Sequence, residues 1–396
     1  MRSPRALRLL AVLAVAALSL SACGDDGGDD ETTAGQAGGD RRTYSIAFVG
    51  PLTGDNANLG INIRNGAKVA VEEANRGSGP RIELKEFDTQ GDPAQATTLS
   101  GRFINDQSII GIVGPTFSGE TRAVMQSLQE AGLVMVSASA TNAALPTAVP
   151  NQTVFHRLVP DDDVQGKGLA DYVRKVGARR AVYIDDNTEY GKGLADGTRQ
   201  LLEAAGVPTI ARDSIDPRSQ DFSAVVNRVR SANPDLIFYG GYYSEAGRLR
   251  KQLVDAGVRV RFLSGDGSLD AGFVTAAGAA AAEGAQMTCA CRLATEDAGG
   301  KLGEFARAYR QLNNAVPGTY STEGYDAANL LISGIKDGKT DRRALLDHVE
   351  NLGTYEGVGK SISFEPNGNI RATGVFVYEV KGGRLNSLGT TEELSR

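Results

Sequence analysis

The 396-residue chain has no tryptophan, two histidines and three cysteines. That leaves little material for a zinc site or a histidine-based catalytic relay. Basic charge is not in excess either: 42 Lys and Arg stand against 48 Asp and Glu, a formal charge of −6. A general nucleic-acid binder needs the opposite balance, because its surface must neutralise phosphates. Neither the phosphate loop GxxxxGK[ST] nor the nucleophile elbow GxSxG occurs. Gly191, Gly193 and Gly197 approach a dinucleotide fingerprint, but Asp196 occupies its third glycine position and the run starts five residues beyond its strand. His156 and His348 are far apart, and neither sits in an HExxH setting. These absences point to a binder rather than an enzyme, with no cofactor and no metal.

What is present begins with a leader. Arg2, Arg5 and Arg8 precede an uninterrupted apolar run from Leu9 to Leu20. The run is too short to span a bilayer, which takes about 20 residues, and fits a secretory signal instead. Leu20-Ser21-Ala22-Cys23 resembles a bacterial lipobox, whose cysteine is diacylated and becomes the mature N-terminus. Residues 1–22 are therefore expected to be a lipoprotein signal peptide, with Cys23 holding the chain to the outer face of the cytoplasmic membrane. Residues 23–42 read as a flexible linker: the stretch from Cys23 to Asp40 has six acidic residues and no large apolar side chain. Such a segment cannot bury enough surface to offset chain entropy.

From Tyr44 the pattern alternates short β-branched runs with amphipathic stretches. Strands are predicted at 44–50, 81–87, 108–114 and 133–137, with helices at 58–76, 92–106 and 119–131 between them. After the polar stretch Pro160 to Asp163 a second series follows, with strands at 181–186, 208–212, 235–241 and 261–265 and helices between. Three further helices (299–315, 322–336, 341–350) and two late strands (360–364, 373–380) come after it. The pattern is α/β: two doubly wound, Rossmann-like lobes, with leftover elements that imply more than one crossing between them.

In such folds a ligand binds beyond the carboxyl ends of the strands. There the sequence offers Thr116 and Ser118, the latter placed like a helix N-cap, and then Ser139 and Thr141. The second series offers Tyr190, Tyr242 and Asp266. Hydroxyls and helix N-termini on one lobe suit a carboxylate, and an acid with phenols on the other suits an ammonium. Together they complement a zwitterion, which suggests an α-amino acid. Each residue also has a plainer reading as a cap, packing aromatic or turn residue.

The motifs FVGPLTGDNANLG (48–60), FDTQGDPAQA (87–96), GIVGPTFSGET (111–121), VSASATNAAL (136–145), DNTEYGKGLADG (186–197), YGGYYSEAGRLRKQ (239–252) and GVFVYEV (374–380) occur in this order. In order and spacing the chain resembles the branched-chain amino-acid-binding (Leu/Ile/Val) family of type I periplasmic binding proteins, which deliver substrate to ABC importers. The resemblance implies a monomer of two lobes joined by three hinge crossings, near 158–160, 287–290 and 372–374. Lobe 1 would comprise 43–159 plus 289–373, and lobe 2 would comprise 160–288 plus 374–396. It implies that Ser118 and Thr141, with the backbone near Thr116, hold the ligand carboxylate. The Ser139 carbonyl and Asp266 would meet the ammonium, Tyr190 and Tyr242 would close from the second lobe, and Tyr320 would form an aromatic wall. Leu59 stands where some relatives have Tyr, and Asp266 where the branched-chain binders have the longer Glu. An amide, urea or aromatic acid is the alternative ligand, and a sensor the alternative role. Cys289 and Cys291 lie near the second crossing; in an extended segment their Cα atoms would be about 6.6 Å apart, near the upper limit for a disulfide. Export favours a bridge over free thiols.

Overall fold

The computed structural model describes residues 42–371 and 374–396. The leader, Cys23, all but the last residue of the linker, and positions 372–373 of the third crossing lie outside the described residues.

The first sheet contains β1 (Thr43–Gly50), β2 (Arg81–Asp88), β3 (Ile109–Val113), β4 (Val134–Ser137) and β5 (Phe155–Arg157), connected by α1 (Ala57–Arg76), α2 (Pro93–Asn105) and α3 (Ser118–Ala131). Its order is β2-β1-β3-β4-β5, parallel throughout. β3 and β4 are buried along their whole length, which is why they read as unbroken apolar runs instead of alternating.

α4 (Asp162–Lys175) opens the second sheet. There follow β6 (Ala181–Asp185), α5 (Glu189–Ala204), β7 (Thr209–Ser214), α6 (Ser223–Ala232), β8 (Leu236–Gly240), α7 (Tyr243–Asp255) and β9 (Arg261–Ser264). The short helices α8 (Ala271–Ala277) and α9 (Ala279–Ala282) lead to β10 (Gln286–Cys289). The chain then returns to the first sheet through α10 (Gly300–Asn313), α11 (Ser321–Lys336) and α12 (Arg342–Glu350). Leu331 and Leu345 of these last two helices pack over Gly111 of β3. A small hairpin of β11 (Tyr355–Glu356) and β12 (Ser361–Ile362) precedes the final passage. The antiparallel pair β13 (Phe376–Lys381) and β14 (Arg384–Thr390) then completes the second sheet, and α13 (Thr391–Ser395) ends the chain. The order of that sheet is β14-β13-β10-β9-β8-β6-β7.

Both sheets reverse direction of strand order beside their first strand, β1/β3 in one and β6/β8 in the other, and such switch points leave a crevice at the strand ends. Each has a glycine there because another backbone or side chain comes too close for a Cβ. At Gly50 a Cβ would collide with Thr116 Oγ1, and at Gly240 with the carbonyl of Gly191.

Several elements depart from the sequence reading. The strand expected at 360–364 shrinks to the two residues of β12, supplemented by a bridge between Phe364 and Ile370. β5 and β10, at three and four residues, are too short for an alternation to be seen. The polar stretch at Asp161–Asp163 is the start of α4: Asp161 Oδ1 caps it by accepting from Val164 N at 3.1 Å. Ser118 is not the N-cap of α3 but its first helical residue; Phe117 stands at the cap, and Glu120 accepts from its N–H at 2.7 Å.

The connections between the sheets are tied by charged groups. Lys360 Nζ donates to the carbonyls of Leu158 (3.0 Å) and Ala290 (3.3 Å), on the first and second passages, and stands 2.7 Å from Glu323 Oε1. The fully buried Arg157 donates to the carbonyls of Ala140 (3.1 Å) and Asn142 (2.9 Å) and to Asn369 Oδ1 (2.8 Å). Cys289 and Cys291 are joined by a disulfide with their Cα atoms 5.0 Å apart. That is closer than a fully extended pair, because β10 ends at Cys289 and the chain bends there.

Candidate functional site

Between the two sheets lies a small cavity lined by Leu59, Phe117, Ser118, Ser139, Tyr190, Tyr242, Asp266, Gly267 and Tyr320. About 10 Å³ of it is open to the centre of a water-sized sphere, enough for about one water. An amino acid therefore enters only if the walls part.

Asp266 follows β9 and is buried at 2% exposure. Its Oδ1 accepts from Gln165 Nε2 at 2.9 Å and from the Tyr190 hydroxyl at 2.7 Å, and its Oδ2 from the Tyr320 hydroxyl. Gln165 and Tyr190 belong to helices of the second sheet, whereas Tyr320 precedes α11, which packs on α1 of the first. One carboxyl thus joins both halves. Burial pushes the Asp266 pKa up, while the Tyr320, Gln165 and Tyr190 hydrogen bonds oppose the shift. Burial likewise raises the Tyr190, Tyr242 and Tyr320 phenols well above their ordinary value, so they remain neutral donors. Tyr320 reaches Asp266 from a backbone at φ 67°, a left-handed conformation uncommon for a residue with a side chain. Phe117 packs on Tyr242 with ring centroids 4.2 Å apart, and Tyr242 on Tyr190 at 5.1 Å, giving an apolar wall.

Ser118 Oγ accepts from Asn142 N at 3.2 Å, and Ser139 Oγ donates to the Thr116 carbonyl at 2.6 Å. Thr116 and Thr141 lie behind the cavity rather than on its wall; Thr116 Oγ1 contacts the Val49 carbonyl at 3.5 Å. Of the eight ligand-binding residues expected from sequence, six line the cavity. Phe117, Gly267 and, from the shell behind, Gln165 were not anticipated. Phe117 lies inside the PTFSG stretch already singled out, and Gln165 is one turn into an unrecognised helix. His156 packs edge-on against Phe364 and His348 sits beside Ser333, both away from the cavity. Among the described residues, no group of three or more His, Cys, Asp or Glu is arranged to hold a metal ion.

A second set of contacts spans the halves at the start of α1. Asn56 occupies the N-cap of α1 but does not cap it. Its Oδ1 instead accepts from Ser244 N (3.3 Å), in the first turn of α7, so it caps a helix of the other half. Its Nδ2 donates to Glu245 Oε2 at 3.3 Å, and Asn58 Nδ2 donates to Asp270 Oδ1 at 2.8 Å. Burial, and then Asp186, push the Glu245 pKa up to about 8. A folded-state pKa above the ordinary carboxylate value means stability present at low pH and lost as pH rises through about 8. Asp186, raised by burial to about 6, adds to the same trend, and Arg248 opposes it. Glu245→Gln is accordingly expected to hold its melting temperature between pH 6 and 9 better than the wild type by a few degrees. Parallel melting curves would refute this.

The two doubly wound halves are matched by known proteins. A model of the periplasmic binding protein family covers residues 43–384. The chain belongs to the periplasmic binding protein family. This periplasmic binding protein is 31% identical over 351 residues to the Leu/Ile/Val-binding protein BraC3 of Rhizobium johnstonii, covering 86% of this chain and 92% of that one. Its fold is similar to the leucine binding protein LivK of Thermotoga maritima (TM-score 0.80, 26% identity, 88% of this chain and 98% of that one). LivJ of Streptococcus pneumoniae, solved in complex with isoleucine, is equally similar (TM-score 0.80, 26% identity, 88% and 99%). Membership makes the chain a binding protein rather than an enzyme and places it outside the cytoplasm. No helix among the described residues is long and apolar enough to cross a membrane.

Proposed function

We propose that this periplasmic binding protein captures an amino acid with an apolar side chain, most readily a branched aliphatic one, and hands it to the permease of an ABC importer. The observation that carries the reading is the Asp266 carboxyl, buried and held by donors from both halves beside a wall of Leu59, Phe117 and Tyr242. A buried acid suits an ammonium, and the wall suits a side chain without charge. Ser118, Ser139 and Thr141, with the backbone at Thr116, hold the carboxylate end. Tyr190, Tyr242 and Tyr320 close over the ligand as 43–159 plus 289–373 and 160–288 plus 374–396 move as two lobes. The chain works as a monomer, tethered by lipid on Cys23 through its acidic linker.

Ligand bridging both lobes stabilises the closed form by its greater affinity for that form. A ligand that binds only the native state raises the melting temperature by mass action, by an amount equivalent to about 2.7 kcal/mol at 100 times Kd. Leucine, isoleucine and valine are expected to produce the largest shifts in a thermal screen that also contains urea, small amides and benzoate. A shift confined to the amides or aromatic acids would reject the amino-acid reading.

A further inference from the structure

The disulfide at the end of β10 has no part in the site described above, yet its neighbours lead there. Cys289 is the last residue of β10 and pairs with Phe376 of β13. Both cysteines are buried. The Cys291 carbonyl accepts from the Tyr378 hydroxyl of β13 at 3.2 Å, and that hydroxyl accepts from Leu293 N at 3.1 Å. Between the cysteines, the Ala290 carbonyl accepts from Lys360 Nζ, which also reaches Leu158 on the first passage. On the other side, the buried Thr288 Oγ1 donates to Gln165 Oε1 at 3.1 Å, with the Ser264 carbonyl farther off at 3.4 Å. Gln165 Nε2 in turn donates to Asp266 Oδ1 at 2.9 Å. Thr288 therefore decides which way round the Gln165 amide faces. With Oε1 taken by the hydroxyl, the donating end is the one turned to Asp266; reversed, an oxygen would meet the carboxyl. Two hydrogen bonds thus connect the residue beside Cys289 to the acid of the cavity.

Building on the amino-acid reading, we propose that Cys289–Cys291 is a thiol–disulfide exchange site for a dithiol, and that it sets ligand affinity through Thr288 and Gln165 as positioning residues. The bridge holds its two Cα atoms 5.0 Å apart. Once opened, the segment relaxes toward the spacing of about 6.6 Å of an extended pair. Lys360 holds Ala290 and Tyr378 holds Cys291, so part of the movement falls on Thr288. A hydroxyl drawn away from Gln165 frees the amide to turn, and Asp266 loses a donor of fixed orientation. The exchange balances within its two partners. A thiolate of the dithiol attacks one sulfur, which breaks the Cys289–Cys291 bond and forms a mixed disulfide. The second thiol then displaces it: the dithiol is oxidised to its own disulfide, two electrons pass to the protein, and two protons finish on Cys289 and Cys291. Outside the cytoplasm the bridge persists, so the bridged, tighter-binding form is the resting one. Linkage makes the effect reciprocal: a bound ligand protects the bridge against the dithiol by the same factor.

The test is calorimetry with L-leucine on the full chain before and after treatment with dithiothreitol, with alkylation and peptide mass confirming the state of Cys289 and Cys291. The reduced protein is expected to keep its melting transition and to bind leucine about three- to tenfold more weakly, the worth of roughly one hydrogen bond. Thr288→Val, which keeps the shape and the bridge but removes the hydroxyl, should show a similar loss and none further on reduction. Thr288→Ser, which restores the hydroxyl, should bind as wild type does and stay sensitive to the dithiol. Equal leucine affinity in bridged and reduced wild type overturns the proposal. So does a Thr288→Val variant that binds as tightly as wild type or still weakens on reduction. Loss of the melting transition on reduction overturns it too, because the bridge would then hold the fold rather than the site. Absence of binding of leucine or any other amino acid to the bridged wild type overturns the functional reading itself, a result distinct from these.

Discussion

Asp266→Ala is expected to lose most of the protein's affinity for its amino acid while remaining folded. Removing one member of a buried, hydrogen-bonded charge pair weakens binding by about 2–5 kcal/mol, or roughly 30-fold to several thousand-fold. Folding should survive because the substitution deletes a carboxyl whose pKa is raised by burial, and hence one that costs stability as pH rises above the ordinary carboxylate range. Against this, the Gln165, Tyr190 and Tyr320 donors lose their shared acceptor, each at a cost of about 1–3 kcal/mol if no water replaces it. Asp266→Asn retains an acceptor oxygen and separates the two effects: it should bind poorly yet melt closer to wild type than Asp266→Ala does. Unchanged leucine affinity by calorimetry in Asp266→Ala would remove the residue from the site.

The largest effect on stability is expected at Lys360. Its ammonium is mostly buried, bonds carbonyls of two of the three connections, and pairs with a Glu323 that is almost wholly buried. Lys360→Met leaves Glu323 without its cation, and breaking a buried pair from one side costs about 3–5 kcal/mol. For a chain of this size that corresponds to a fall in melting temperature of about 4–7 °C. Glu323→Gln added to Lys360→Met should recover part of the loss, since the stranded charge is then gone. A single Lys360→Met variant melting within 1 °C of wild type would show that the pair contributes nothing.

The parts of the fold that were legible in the sequence are those where one element has one environment. β1, β3 and β8 are largely buried, mostly apolar runs that each lead into or end at a glycine, and helices such as α3 and α7 keep their apolar residues on one face. α4 was hidden because its sequence, DDVQGKGLADYVRK, has two glycines and an acidic start that resembles a loop. β14 was hidden because it is a polar edge strand with no buried face. The site followed the same logic. Ser118, Ser139, Tyr190, Tyr242 and Asp266 stand at strand ends, where the topology alone makes a crevice. Tyr320 does not: only the family resemblance pointed to it, and its reach to Asp266 depends on a left-handed backbone before α11. Gln165 became meaningful only once the first turn of an unrecognised helix was seen to face Asp266.

The strand order of the second sheet also bears on how the chain is made. β10 pairs on one side with β9 and on the other with β13, and Met287 faces Tyr378 across some 90 residues of chain. Those intervening residues build helices onto the other sheet. During N-to-C-terminal synthesis the outer edge of β10 therefore stays bare until almost the last residues have emerged. Such long-range pairing slows folding and leaves a strand edge exposed to other chains. A chain truncated before Phe376 would carry every ligand-binding residue named above and still present an unfinished, adhesive sheet. The C-terminal hairpin is the cover that ends that vulnerable interval.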